Sequence, residues 1–209
     1  MNQFLPEDKK GKNFSGNNSS GKRNKSDFYQ TPYWLTSLLL DNEKLKEPIL
    51  EPACGEGAIV TVLFKRYKDL LFYDINHKPT MKNFLHNNLN GIVNTVITNP
   101  PFRLAFEFIQ KAKKVSRDKV IMLLPLSYLH GKKRYDDIYQ DQKFPLRRVL
   151  VFTRYPMLRE TIREDGKHET GMQVYAWFVW QKRRWWEFWC IEPIVKWLDN
   201  DPFVLRAGE

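Results

Sequence analysis

Four short apolar runs constrain this chain more than any other feature: "LLFYDI" (70–75), "GIVNTVI" (91–97), "KVIMLLP" (119–125) and "LRRVLVFT" (146–153). Half-buried strands alternate apolar and polar residues, whereas runs this continuous belong to strands sunk in a core. Segments with apolar residues at helical spacing lie among them: "PYWLTSLLLDN" (32–42), "GAIVTVLFKRY" (57–67), "LAFEFIQKAKKV" (104–115) and, more weakly, "TMKNFLHNN" (80–88). Strands that alternate with helices predict an α/β fold with a mostly parallel sheet. The later run "QVYAWFVWQKRRWWEFW" (173–189) predicts one or two long strands, an antiparallel C-terminal hairpin closing the sheet edge.

Residues 1–26 are dominated by Asn, Gly, Ser and Lys, which bury too little apolar surface to offset the entropy of ordering. They predict a disordered basic arm, either solvated or lying along phosphates. Residues 27–209 are expected to form one domain, since 209 residues with 42% hydrophobic content suit a single core. The formal net charge of +10 favours a polyanionic partner, with nucleic acid the default. Only Cys54 and Cys190 occur, so neither a disulfide framework nor a Cys-x-x-Cys metal spacing exists. The four histidines share no spacing, and no metal site is expected. No run reaches the ~20 apolar residues of a membrane span, and a cytoplasmic location without membrane contact is the expectation.

Two local motifs carry chemistry. "LEPACGEG" (50–57) follows a strand and precedes a helix, and its Gly55 and Gly57 let backbone approach a ligand closely. Asp74, at the tip of the next strand, has the spacing of an acid that accepts hydrogen bonds from ribose hydroxyls. The turn lacks the third glycine of a dinucleotide fingerprint and begins Glu51-Pro52, which points to a cofactor without a pyrophosphate. The second motif is "TNPPF" (98–102), where an amide, two prolines and an aromatic ring follow an apolar strand. Prolines fix φ and remove ladder donors, so this is a rigid turn.

Together with "DFYQTP" (27–32), these motifs resemble the S-adenosylmethionine-dependent DNA adenine N6 methyltransferases, in the small form found in phages and prophages. The likeness runs from about Asp27 to Trp180 and includes "MLLPLSYL" and "YAWFVW". It implies a single Rossmann-like methyltransferase domain that takes S-adenosylmethionine and methylates adenine in DNA. Thr31 and Pro32 would lie by the methionine end of that cofactor. Glu51, Pro52, Ala53, Cys54, Gly55 and Gly57 would wrap it, Cys54 by packing alone. Asp74 would hold the ribose, and Asn83 would stand where the family usually has an acid facing the cofactor's adenine.

In the catalytic turn, the Asn99 side-chain oxygen and the Pro100 carbonyl would accept hydrogen bonds from the two amino protons of the target base, with Pro101 stiffening the pair. Phe102 would stack on a base taken out of the duplex. In this motif order a separate target-recognition domain would normally follow, but little sequence remains after the last expected strands, and none is expected. Specificity is then low, resides in the charged segment 154–172, or comes from a partner subunit. Two rivals share the fold: an RNA adenine methyltransferase and an inactive nucleic-acid-binding subunit. The tryptophans of the last third are read mainly as packing. "QKRRWW" (181–186) is equally a solvated turn or a contact for phosphate and bases.

Overall fold

Strands β1 (Ile49–Glu51), β2 (Leu70–Phe72), β3 (Val93–Thr98), β4 (Ser116–Pro125), β5 (Leu146–Phe152), β6 (Tyr175–Gln181) and β7 (Ile194–Leu198) form one sheet in the order β2-β1-β3-β4-β6-β5-β7. They come from a computed structural model that describes residues 31–76, 83–88, 91–153, 174–187 and 192–200. The basic arm, the first four residues of "DFYQTP", the segment 154–172, Trp189 and Cys190 lie outside the described residues.

β1 pairs in parallel with β2 and β3, β3 with β4, and β5 with β7. β6 is antiparallel to both its neighbours, β4 and β5. Six strands therefore point one way and β6 alone runs against them. This is the expected α/β architecture, mostly parallel with an antiparallel C-terminal part, and two details differ. Among its described residues, 174–187, the tryptophan-rich run contributes one strand, which lies in the sheet interior between β4 and β5 and not at its edge. The edge is β7, whose residues are exposed except for Leu198 and so lack the periodic burial that marks a strand.

Side-chain alternation divides the core into two clusters, one on each face of the sheet. Val120, Met122, Leu124, Phe178 and Trp180 pack toward helix α3 (Ala105–Val115) and Phe84. Ile121, Leu123, Trp177 and Val179 pack toward helices α1 (Tyr33–Asn42) and α2 (Ala58–Leu63). Helices on both faces explain why the strands read as continuous apolar runs.

α3 is amphipathic: Ala105, Phe108, Ile109, Ala112 and Val115 are buried, with Glu107 in its first turn and Lys113 and Lys114 in its last, signs that suit the helix dipole. Trp177 and Trp180 are fully buried, and each contributes roughly 1.5–3 kcal/mol or more through burial. Trp185, Trp186 and Trp197 are exposed, so packing accounts for only part of the tryptophan content. Of the weakly helical segment 80–88, the described residues 83–88 form a turn, not a helix. Among the described residues, no helix is long and apolar enough to cross a membrane.

Candidate active site

The carboxyl ends of β1, β2 and β3 lie side by side, which is where open α/β sheets take ligands. Each of these ends carries one of the sequence motifs. After β1 the chain turns through Pro52–Gly57 into α2. Gly55 and Gly57 adopt positive φ (50° and 82°), and Gly57 caps α2 in the left-handed region that side chains resist. A Cβ at Gly57 would meet nothing within 4 Å, so the glycine is needed for its backbone and leaves open space in front of the turn.

Asp74 ties this turn to the end of β2. Its Oδ2 accepts the Gly55 N–H at 2.9 Å and its Oδ1 accepts the Asn76 N–H at 2.8 Å. Each carboxylate oxygen has two acceptor positions, so capacity for two hydroxyls is left after these bonds. Backbone bonds from Cys54 N–H to the Tyr73 carbonyl and from Tyr73 N–H to the Glu51 carbonyl, both 2.9 Å, extend the β1–β2 ladder into the turn. Cys54 and Ala53 are half-buried and Pro52 is buried.

Glu51 is the unusual member. It is 1% exposed, and its Oε1 accepts the Ala53 N–H at 3.2 Å. Burial pushes its carboxyl up to about 8, against the pull of Thr98 and of the Ala53 N–H, while the nearby Asp74 charge adds to the rise. Thr98 sits beside it at the end of β3, yet Glu51 Oε2 and Thr98 Oγ1 both lack a partner in hydrogen-bond geometry. The two side chains thus lie close enough for Thr98 to draw the Glu51 carboxyl down, yet without a bond of good geometry, and both stay under-satisfied at the mouth of the glycine turn.

Asn99 and Pro100 continue from β3, the first half-buried and the second buried. Asn99 Nδ2 donates to Thr31 Oγ1 at 3.1 Å, so the buried Thr31, just before Pro32 and α1, fixes the amide. With its nitrogen turned to Thr31, the amide carries its oxygen on the other branch. Pro101 (φ −54°, ψ 119°) opens a short 3-10 turn, Phe102–Leu104, in which Leu104 N–H bonds the Pro101 carbonyl at 2.8 Å. Phe102 is stacked on Tyr175 of β6, with ring centroids 5.5 Å apart and planes 29° apart.

Asn83 is engaged locally: its Oδ1 accepts the Leu85 N–H at 3.0 Å and its carbonyl accepts the His86 and Asn87 N–H groups at 3.2 Å. The structure thus gathers the Glu51–Gly57 turn, Asp74, Thr31, Pro32 and Asn99–Phe102 at one edge, and shapes Asn83 as a turn former. Tyr175 and Thr98 stand inside motifs singled out above, but the sequence assigned neither a role at the site. Tyr175 is distant in sequence from Phe102, and Thr98 is an ordinary strand residue until its burial is known.

At the level of sequence, no family model and no curated protein matches this chain. Solved structures do. A protein from Listeria monocytogenes assigned as a class I S-adenosylmethionine-dependent methyltransferase is similar at a TM-score of 0.53 and 14% identity, over 84% of this chain and 66% of its own. A predicted O-methyltransferase from Agrobacterium tumefaciens reaches 0.52 at 10% identity, over 85% of this chain and 95% of its own. The M protein of the type I restriction enzyme EcoKI reaches 0.50 at 14% identity, over 76% of this chain and 44% of its own. The fold is that of the S-adenosylmethionine-dependent methyltransferases.

Proposed function

We propose that this chain transfers a methyl group from S-adenosylmethionine to the N6 amino group of adenine in DNA. The observation that carries this reading is the Asn99–Phe102 turn, held by Thr31 at the carboxyl end of β3 beside the glycine turn of β1.

The residues present fit the cofactor. Glu51, with an under-satisfied oxygen, suits the cationic amino-acid end, Asp74 has acceptor capacity for the ribose hydroxyls, and the absence of any atom within 4 Å of a Cβ at Gly57 leaves the turn's backbone open to approach. Thr31 and Pro32 would border the same end, and the half-buried Ala53 and Cys54 would line the turn. When bound, S-adenosylmethionine supplies an electrophilic methyl carbon on a sulfonium.

The chain's own part is to ready the nucleophile. An adenine amine is poorly nucleophilic because its lone pair is delocalised into the ring. Asn99 Oδ1 and the Pro100 carbonyl accept hydrogen bonds from its two N–H groups, which favours a tetrahedral nitrogen and stabilises positive charge as the new N–C bond forms; the S–C bond would break to leave a neutral thioether, and the surplus amino proton would pass to solvent. The fixed φ values of Pro100 and Pro101 hold both acceptors with little freedom left to lose. Phe102, braced by Tyr175, stacks on a base brought out of the helix.

DNA is preferred to RNA because "DFYQTP" precedes the cofactor turn, and the likeness to a restriction-enzyme M protein supports that preference. Transfer of tritiated methyl to matched DNA and RNA oligonucleotides tests both activity and substrate. Asn99→Ala should lower transfer by roughly 100-fold or more while S-adenosylhomocysteine affinity stays the same. Near-wild-type turnover in that variant would remove the role given to Asn99.

A further inference from the structure

The turn that follows β6 is a basic and aromatic surface that the candidate active site does not use. β6 runs against β4 with Gln181 beside Lys119, and Lys182 N–H bonds the Asp118 carbonyl at 2.8 Å. The turn therefore lies at the amino ends of the parallel strands, roughly 20 Å of strand away from the carboxyl edge that carries Asn99.

Here an open cleft of about 550 Å³ is lined by Lys143, Lys182, Arg183, Arg184 and Trp185, together with Gln142 and Glu187. Trp185 is 85% exposed and Trp186 is 50% exposed. The two indoles meet edge to face at 5.5 Å, and the Arg184 guanidinium lies 5.3 Å from the Trp186 ring centre. The turn is built rather than loose. Arg183 N–H bonds the Lys143 carbonyl at 2.9 Å, Arg183 Nε bonds the Glu187 carbonyl at 2.6 Å, and Arg184 N–H bonds Glu187 Oε2 at 2.8 Å.

Glu187 is the one carboxylate among the described residues lining the cleft, and Arg147 already pairs with it. The cleft therefore keeps a clear positive excess. An indole left almost wholly in water gives this fold no burial, unlike Trp177 and Trp180 in the core.

We propose that this turn is a second nucleic-acid contact, one that stacks an unpaired base on Trp185 while Lys143, Lys182, Arg183 and Arg184 receive the flanking phosphates. Cations beside an exposed aromatic face are the elements of single-strand binding, and only an unstacked base offers a face to the indole. Four cations against one carboxylate that is already paired suit a polyanion, which argues for nucleic acid over a protein partner. The contact anchors a strand and takes no part in methyl transfer, so it stands or falls separately from the catalytic reading.

Oligo(dT), which has no adenine to methylate, is the probe. Anisotropy of a labelled strand with the full chain should show binding, accompanied by quenching of tryptophan fluorescence. Trp185→Ala should weaken oligo(dT) binding by roughly tenfold, Trp185→Phe should retain most of the affinity, and neither should change the affinity for heparin. The double variant Lys182→Ala, Arg184→Ala should bind less tightly and with a shallower salt dependence. Methyl transfer at saturating DNA should be the same in all of them. Unchanged oligo(dT) affinity in Trp185→Ala overturns the proposal. So does an equal loss toward heparin, which has charge and no bases.

Discussion

Two glutamates are withdrawn from water to nearly the same degree, Glu43 to 4% exposure and Glu51 to 1%, and their surroundings are opposite. Glu43, just after α1, has Lys119 Nζ at 2.8 Å on one oxygen and Arg148 Nη1 at 2.5 Å on the other, and Lys119 also donates to the Lys44 carbonyl at 2.8 Å. Glu51, at the end of β1, has no ion pair among the described residues, and its Oε2 has only the Thr98 hydroxyl nearby, without a hydrogen bond of good geometry. Lys119 and Arg148 stand near the starts of β4 and β5, away from the edge where Glu51 opens. A buried carboxylate saturated by cations joins α1 to the sheet. The other, at the mouth of a glycine turn, is left without a cation, as the proposed cofactor role requires.

The comparison can be broken most directly at Glu43. Glu43→Ala strands the nearly buried Lys119 ammonium, and urea unfolding should register a loss of roughly 3–5 kcal/mol. A loss below about 1 kcal/mol would mean that the pair is not structural.

Glu51→Gln sharpens the other side. The folded-state pKa of about 8 lies above the ordinary 4.5, so the native state holds an extra proton between those values. The stability this supplies is complete below pH 4.5 and is lost as pH rises toward 8, by at most about 1.4 kcal/mol per unit. A glutamine has no such loss, so the variant should gain on the wild type across that window. Parallel stability curves would show Glu51 already ionised and paired. The smallest effect belongs to the turn itself: Gly57→Ala meets no clash, and only the left-handed backbone should cost it about 1–2 kcal/mol in the same assay.

What was legible in the sequence was local. The β1–turn–α2 unit, the β3–Asn-Pro-Pro-Phe–α3 unit and the amphipathic face of α3 each declare themselves within a dozen residues, because apolar periodicity and glycine or proline chemistry act at short range. Strand order does not. That "YAWFVW" enters between β4 and β5, rather than folding back on itself at an edge, is decided by which partners its two faces can bury against. β7 was invisible because its side chains Ile194, Val195, Lys196 and Trp197 are exposed without alternation. The ingredients of the site were readable while their bracing was not: the Thr31–Asn99 bond and the Phe102–Tyr175 stack join residues far apart in sequence. The under-satisfied state of Glu51 is a property of burial, which no tetrapeptide reports.

The position of β6 has a consequence for how the molecule is made. β4 and β5 are each bonded to β6 and not to one another, so they stand about two strand spacings apart, close to 10 Å. Both sheet partners of β5, namely β6 and β7, follow it in the sequence, so a nascent chain that ends at Phe152 gives β5 nothing to pair with. Tyr175–Gln181 is the link that ties β5 to β4, and until it is made the edge of β4 and the whole of β5 lack their native partners.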